Sequence, residues 1–185
     1  MTELETVALA LYDIGAVQIG KFKLHSGHKS SIYLDLRLLA SHPQVLRQVA
    51  AAYHQLIKER KLQFNLLAAA PLAGLPIGTA LALEMDTPLI YPRKTAKNYG
   101  TGKSIEGMYS VGQTAVIIDD LITSGDSIVS VAVPLKAAGL TVTDAVVLID
   151  RGQGGDVLLS DAGYNLHAVF TLQFLLAVLE KHGRI

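Results

Sequence analysis

The chain has 185 residues and a mass of 19.8 kDa, and half of it is hydrophobic, which fits one domain over residues 1–185 with a full core and excludes a disordered chain. Sixteen Lys and Arg balance sixteen Asp and Glu, so no general field draws nucleic acid or anionic lipid, and neither nucleic acid nor membrane is expected as a partner. With no cysteine, thiolate nucleophiles, disulfides, Cys-type zinc sites and iron–sulfur clusters are excluded.

The opening residues MTELETVALALYD are acidic before they are apolar, unlike a secretory leader, and point to a cytoplasmic protein. Leu4, Val7, Ala8, Leu11 and Ile14 recur at helical spacing and predict a first helix ending before Gly15, followed by a short mixed stretch to Gly20. After a loop, a second helix is predicted, capped by Ser41 and with Pro43 in its first turn. Its apolar stripe is Val45, Val49, Ala52, Tyr53, Leu56 and Ile57, and it ends in Lys58-Glu59-Arg60. The uncharged run from Leu62 to Leu83 is interrupted by Gln63, Asn65, Pro71, Gly74, Pro76 and Gly78, so it reads as a strand, a turn and a helix rather than a membrane span. Short apolar runs at 66–70, 88–91, 114–118, 145–149 and 167–170 alternate with helical stretches. That pattern predicts an α/β fold: a mostly parallel twisted sheet flanked by helices. Residues 93–107, RKTAKNYGTGKSIEG, hold four cations, three glycines and almost no aliphatic side chain, and are expected as an exposed loop that does not pack. Pro134 is expected to interrupt and kink the helix that follows residue 127. Leu172, Leu175, Leu176 and Leu179 form a last helical stripe, read as core or dimer packing.

The densest chemistry lies in TAVIIDDLITSGDS, residues 114–127. A buried strand runs into Asp119 and Asp120, then a small-residue turn and a helix, the end of an α/β sheet where ligands bind. The turn from Thr123 to Ser127 offers backbone N–H groups, hydroxyls and a helix N-terminus, which suit a phosphate monoester. Carboxylates beside a phosphate site need something else to hold, either vicinal sugar hydroxyls or a divalent cation. A phosphorylated sugar satisfies both halves. Arg93, Lys94, Lys97 and Lys103 would supply positive charge over a departing pyrophosphate. GTGKS within that loop lacks the first glycine and the leading strand of a Walker A motif, and LAGLPIG lacks the dinucleotide-binding spacing. His25 and His28 have no companions at metal-ligand spacing. Tyr33, Asp35 and Arg37 alternate as a strand would, half exposed or facing a substrate.

IIDDLITSGDS resembles the phosphoribosyl pyrophosphate (PRPP) motif of type I phosphoribosyltransferases. Three further blocks are similar to the orotate phosphoribosyltransferase family in particular: FKLHSGHKSSIYLDLR at 22–37, the loop at 93–107, and LIDRGQGG at 148–155. The resemblance implies the fold of those enzymes, with a small N-terminal hood over roughly residues 1–40 plus C-terminal pieces. It also implies Mg²⁺-dependent transfer of the phosphoribosyl group from PRPP to orotate in pyrimidine biosynthesis. By that match Lys97, Asp119 and Asp120 are catalytic. PRPP falls to Arg93, Lys94, Lys97 and Tyr99 of the loop and to the run Asp119, Asp120, Leu121, Ile122, Thr123, Ser124, Gly125, Asp126 and Ser127. Orotate falls to His25, Tyr33, Leu34, Thr123 and Arg151, whose guanidinium can fork onto a carboxylate. Mg²⁺ is expected to be held mainly by PRPP and water, with no direct protein ligand assigned. The loop would be shared across the subunits of a homodimer. The chain departs from the family pattern at His25 and Ala73, where lysine is frequent, and at Gly152, where glutamate is usual.

Overall fold

The computed structural model describes residues 1–23, 29–93 and 104–185. Helix α1 (Glu3–Asp13) opens with a reciprocal cap, in which the Thr2 hydroxyl accepts from the Glu5 amide and the Glu5 carboxylate accepts from the Thr2 amide. Strands β1 (Val17–Lys23) and β2 (Lys29–Leu34) pair antiparallel as a small sheet of their own. A 3-10 helix over Leu36–Ser41 leads into α2 (Pro43–Glu59). Ser41 is therefore the last residue of the 3-10 turn and not a cap: α2 starts without a side-chain cap, and Pro43 opens it at a position whose missing N–H costs nothing. β2 stops at Leu34, so the expected strand alternation of Tyr33, Asp35 and Arg37 ends there and Arg37 lies in the 3-10 helix.

The remaining elements are β3 (Leu66–Ala69), α3 (Gly74–Met85), β4 (Leu89–Pro92), β5 (Ile105–Glu106), β6 (Ala115–Ile122), α4 (Asp126–Ala137), β7 (Asp144–Asp150), α5 (Gly155–Asp161), β8 (Asn165–Thr171) and α6 (Leu172–Lys181). Among the described residues the main sheet runs β5-β4-β3-β6-β7-β8, parallel throughout except for β5. The expected strands, the α/β class and the helix–strand alternation all appear, with β6 reaching beyond the apolar run as far as Ile122. Pro134 lies in the last turn of α4, and the helix continues past it to Ala137.

Side-chain alternation sorts the strands into two apolar layers. Leu67, Val116, Ile118 and Val146 pack with α1, α2, α3 and α6; Leu66, Ala68, Ile117 and Val147 pack with α4 and α5. Near the end of β6 the alternation slips by one residue. Regular alternation from Ile118 would put Leu121 in the α4 layer and Ile122 in the α2 layer, and each is found in the other. The neighbouring β7 slips beside it, with Leu148 and Ile149 both in the α2 layer. The pairing of the two strands keeps one register through this stretch, from Asp119↔Val147 to Leu121↔Ile149.

The expectation that 93–107 does not pack is corrected at its ends. Ile105 is fully buried, β5 pairs with Tyr91 and Pro92 of β4, and the Arg93 amide donates to the Ser104 carbonyl at 2.8 Å. One aliphatic side chain is enough to nail the returning strand into the core.

Close packing positions the site. A Cβ on Gly74, the first residue of α3, would lie 2.6 Å from the Ile118 carbonyl and 3.2 Å from Asp119 Cα, so the helix can rest against the acidic strand end only with glycine there. Gly74→Ala is expected to cost about 1–3 kcal/mol, since both contacts are backbone that cannot rotate away. Urea denaturation of the variant checks this, and an unchanged midpoint would contradict the packing argument.

Candidate active site

Asp119 and Asp120 sit where β6 emerges from between the two layers. Asp119 is only 6% exposed. One of its carboxylate oxygens accepts the Asp120 amide at 2.9 Å and the other accepts the Ser127 hydroxyl at 3.1 Å. Burial, reinforced by the charge of Asp120, pushes the Asp119 carboxyl up to about 8, and burial raises Asp120 as well. Each of the two adjacent carboxyls makes it harder for the other to ionise.

Beyond them the chain turns through Thr123, Ser124 and Gly125. Gly125, with φ of 94°, ends the turn as the residue before α4, a left-handed conformation that glycine adopts freely. Asp126 and Ser127 are thus the first residues of α4, and the backbone N–H groups of that turn and helix start are the donors suited to a phosphate. Two of the expected hydroxyls are engaged locally, Ser124 on the Asp126 carboxylate at 2.7 Å and Ser127 on Asp119.

The turn after β7 docks against this one. The Arg151 amide donates to the Ile122 carbonyl at 3.1 Å, and a Cβ on Gly155 would lie 2.8 Å from the Thr123 carbonyl. Arg151 and Thr123, expected to share a substrate, therefore lie on adjoining turns. Gly152 has φ of 65°, so the residue that departs from the family pattern occupies a left-handed position that suits glycine.

The 3-10 helix after β2 reaches the same place through Arg37. Its guanidinium donates to Asp35 at 2.6 Å and to the Tyr33 hydroxyl at 3.2 Å, and its charge lowers Asp120 against the push of burial. Tyr33 stacks on Phe22 at 5.5 Å between ring centroids. Arg93, expected on pyrophosphate, is ion-paired with Glu106 at the base of the loop. Leu34 closes β2, and the main chain resumes with the Asp35 amide on the Ala16 carbonyl at 2.8 Å. His25, Lys94, Lys97 and Tyr99 lie outside the described residues, as do His28 and Lys103. Among the described residues no group of three or more His, Asp or Glu is placed to hold a metal ion.

A family model for the phosphoribosyl transferase domain matches residues 37–163, the stretch that carries both acids and both turns. An orotate phosphoribosyltransferase of Cenarchaeum symbiosum is 43% identical over 159 residues, covering 85% of this chain and 80% of the relative. This chain belongs to the orotate phosphoribosyltransferase family. The crystal structure of orotate phosphoribosyltransferase from Aeropyrum pernix superposes with a TM-score of 0.80 at 33% identity, over 96% of this chain and 99% of that one. The bifunctional enzyme PyrF/PyrE of a Nostoc species is 42% identical over 182 residues, 98% of this chain. The chain spans about two fifths of the length of that relative, 38%.

Two contributors to the site were not singled out as such in the sequence. Arg37 reads as part of an alternating strand and as the last residue of the block at 22–37, and its link to Asp120 depends on the 3-10 turn. Tyr53 was counted in the apolar stripe of α2, yet its hydroxyl donates to the Asp119 carbonyl at 2.6 Å. The available signal was a phenol in a buried stripe, which must find a hydrogen-bond partner somewhere.

Burial of Asp119 sets a pH dependence. Between the ordinary carboxylate value of 3.8 and about 8, the folded chain keeps a proton that the unfolded chain has released, so stability falls as pH rises through that window. Asp119→Asn stays neutral throughout. Its melting temperature is expected to gain on that of the parent chain between pH 5 and pH 8, by scanning fluorimetry, while an equal gap at both pH values would refute the burial argument.

Proposed function

We propose that this chain transfers the phosphoribosyl group of PRPP to orotate, forming a bond from the orotate ring nitrogen to ribose C1 and breaking the bond from C1 to pyrophosphate. The observation that carries the reading is the Asp119–Asp120 pair, Asp119 buried and Asp120 half-buried, beside a glycine-ended turn and helix start, with Arg151 on the adjoining turn. The orotate phosphoribosyltransferases among its relatives support it.

The charges fall where the reaction needs them. Departure of pyrophosphate leaves positive charge on the ribose ring, which the acid pair stabilises while accepting hydrogen bonds from the ribose hydroxyls. The Thr123–Ser127 turn grips the 5′-phosphate, and Arg151 offers its fork to the orotate carboxylate. Orotate arrives as an anion, so positioning and exclusion of water carry more of the rate than a strong base does. Mg²⁺ completes the reading: the described residues provide two adjacent carboxylates and no protein cage, which fits an ion held mainly by substrate phosphates and water. When bound, it offsets the charge of the pyrophosphate.

The enzyme acts as a homodimer that shares residues 93–107 across subunits, with Lys97 serving the neighbour's site. An uncovered apolar face supports a second copy: Leu83 is 83% exposed and lines two adjoining hollows with Leu46 and Ala80. The described helices include none long and apolar enough to cross a membrane. A cytoplasmic location is part of the same reading.

Pyrophosphate release from PRPP and Mg²⁺ is expected with orotate and not with uracil, adenine, hypoxanthine or guanine. Turnover with a purine would keep the PRPP site and sink the orotate assignment. Mixing Lys97→Ala chains with Asp119→Asn, Asp120→Asn chains is expected to restore about a quarter of the parent activity, since half of randomly paired dimers carry one intact site. No recovery would count against the shared loop.

A further inference from the structure

Asp119 is held from both faces of the sheet. Ser127 of α4 fixes its carboxylate from one side. From the other, Tyr53 of α2, wholly inaccessible to solvent, donates its hydroxyl to the Asp119 carbonyl at 2.6 Å.

The place of the Tyr53 contact gives it meaning. The hydroxyl sits where side-chain alternation slips by one residue in both β6 and β7, while the pairing of the two strands keeps one register. A one-residue slip exchanges the faces that successive side chains occupy, so it decides where an acid at that point is aimed. A hydrogen bond to the main chain at that point ties the strand end to α2, and Tyr53 makes it at the carbonyl of the buried acid. Burial keeps the phenol protonated, and the negative charges of both aspartates reinforce this, so the donor stays a donor.

We propose that Tyr53 is a positioning residue for the transfer reaction: its hydrogen bond to the Asp119 carbonyl holds the slipped strand end that aims the Asp119–Asp120 pair at the substrate. The proposal rests on the transferase reading above. It differs from a packing role because phenylalanine fills the same space and lacks only the hydroxyl.

The test is Tyr53→Phe in the full chain, with steady-state kinetics alongside the melting temperature of the ligand-free protein from pH 5 to pH 8. A drop in kcat of about tenfold is expected, with KM for PRPP within about twofold, because the loss falls on the transition state. Without the hydroxyl, the negative end of the carbonyl stands uncompensated beside the pair, so the fall of melting temperature with pH extends to higher pH. Kinetics and pH dependence like those of the parent, with melting temperature lowered equally at every pH, would make Tyr53 structural and overturn the proposal. If Tyr53→Phe does not fold, 3-fluorotyrosine placed at position 53 keeps the shape and strengthens the donor, and it must move the pH dependence downwards; an unmoved curve overturns the proposal equally. A parent chain inactive with every base refutes the transferase reading, and the pH dependence then decides alone whether Tyr53 sets the acid pair.

Discussion

Two neighbouring carboxylates, Asp119 buried and Asp120 half-buried, are the constraint around which this fold is arranged. A buried carboxylate resists ionising, and two of them resist more strongly. The chain answers with local groups: the Asp120 amide and Ser127 hydroxyl on Asp119, and the charge of Arg37 near Asp120. These partners come from three separate elements, β6 itself, α4 and the 3-10 turn after β2. A site of this kind can form only once the sheet, one helix layer and that 3-10 turn have all come together.

The same demand explains the glycines around the site. Gly74 lets α3 lie against the Ile118 carbonyl, and Gly155 lets the turn after β7 lie against Thr123. Gly125 and Gly152 serve differently, by taking left-handed conformations that turn the chain at the mouth of the sheet. The turns after β6 and β7 are thereby brought within reach of one another without large side chains between them. The sheet provides a rigid platform, and chemical variety is confined to its carboxyl end.

Much of this was legible in the sequence because it rests on local pattern. The apolar runs located β3, β4, β6, β7 and β8, and IIDDLITSGDS marked the acids and the phosphate turn through its order of strand, acids, small residues and helix. What stayed hidden depends on contacts between distant segments. Ser41 reads as a helix cap because nothing local reveals the 3-10 turn that absorbs it. Ile105 reads as one aliphatic in a polar loop, and only the β4 ladder shows that it is buried. Tyr53 reads as core, which is true of its ring and silent about its hydroxyl. Arg37 belongs to a quoted block, yet its influence on Asp120 follows from a change of backbone direction at Asp35.

The two-residue strand β5 has a consequence for solubility. A parallel sheet ends in strands whose outer N–H and C=O groups invite another chain to add itself. On the β4 side that invitation is blunted: β5 runs against its neighbour, offers only Ile105 and Glu106, and turns the Ile105 side chain into the core. The Arg93–Glu106 ion pair adds charge at that border, which strand addition by a second chain would have to accommodate. The short antiparallel strand that closes the β4 side thus also guards an open sheet edge against aggregation.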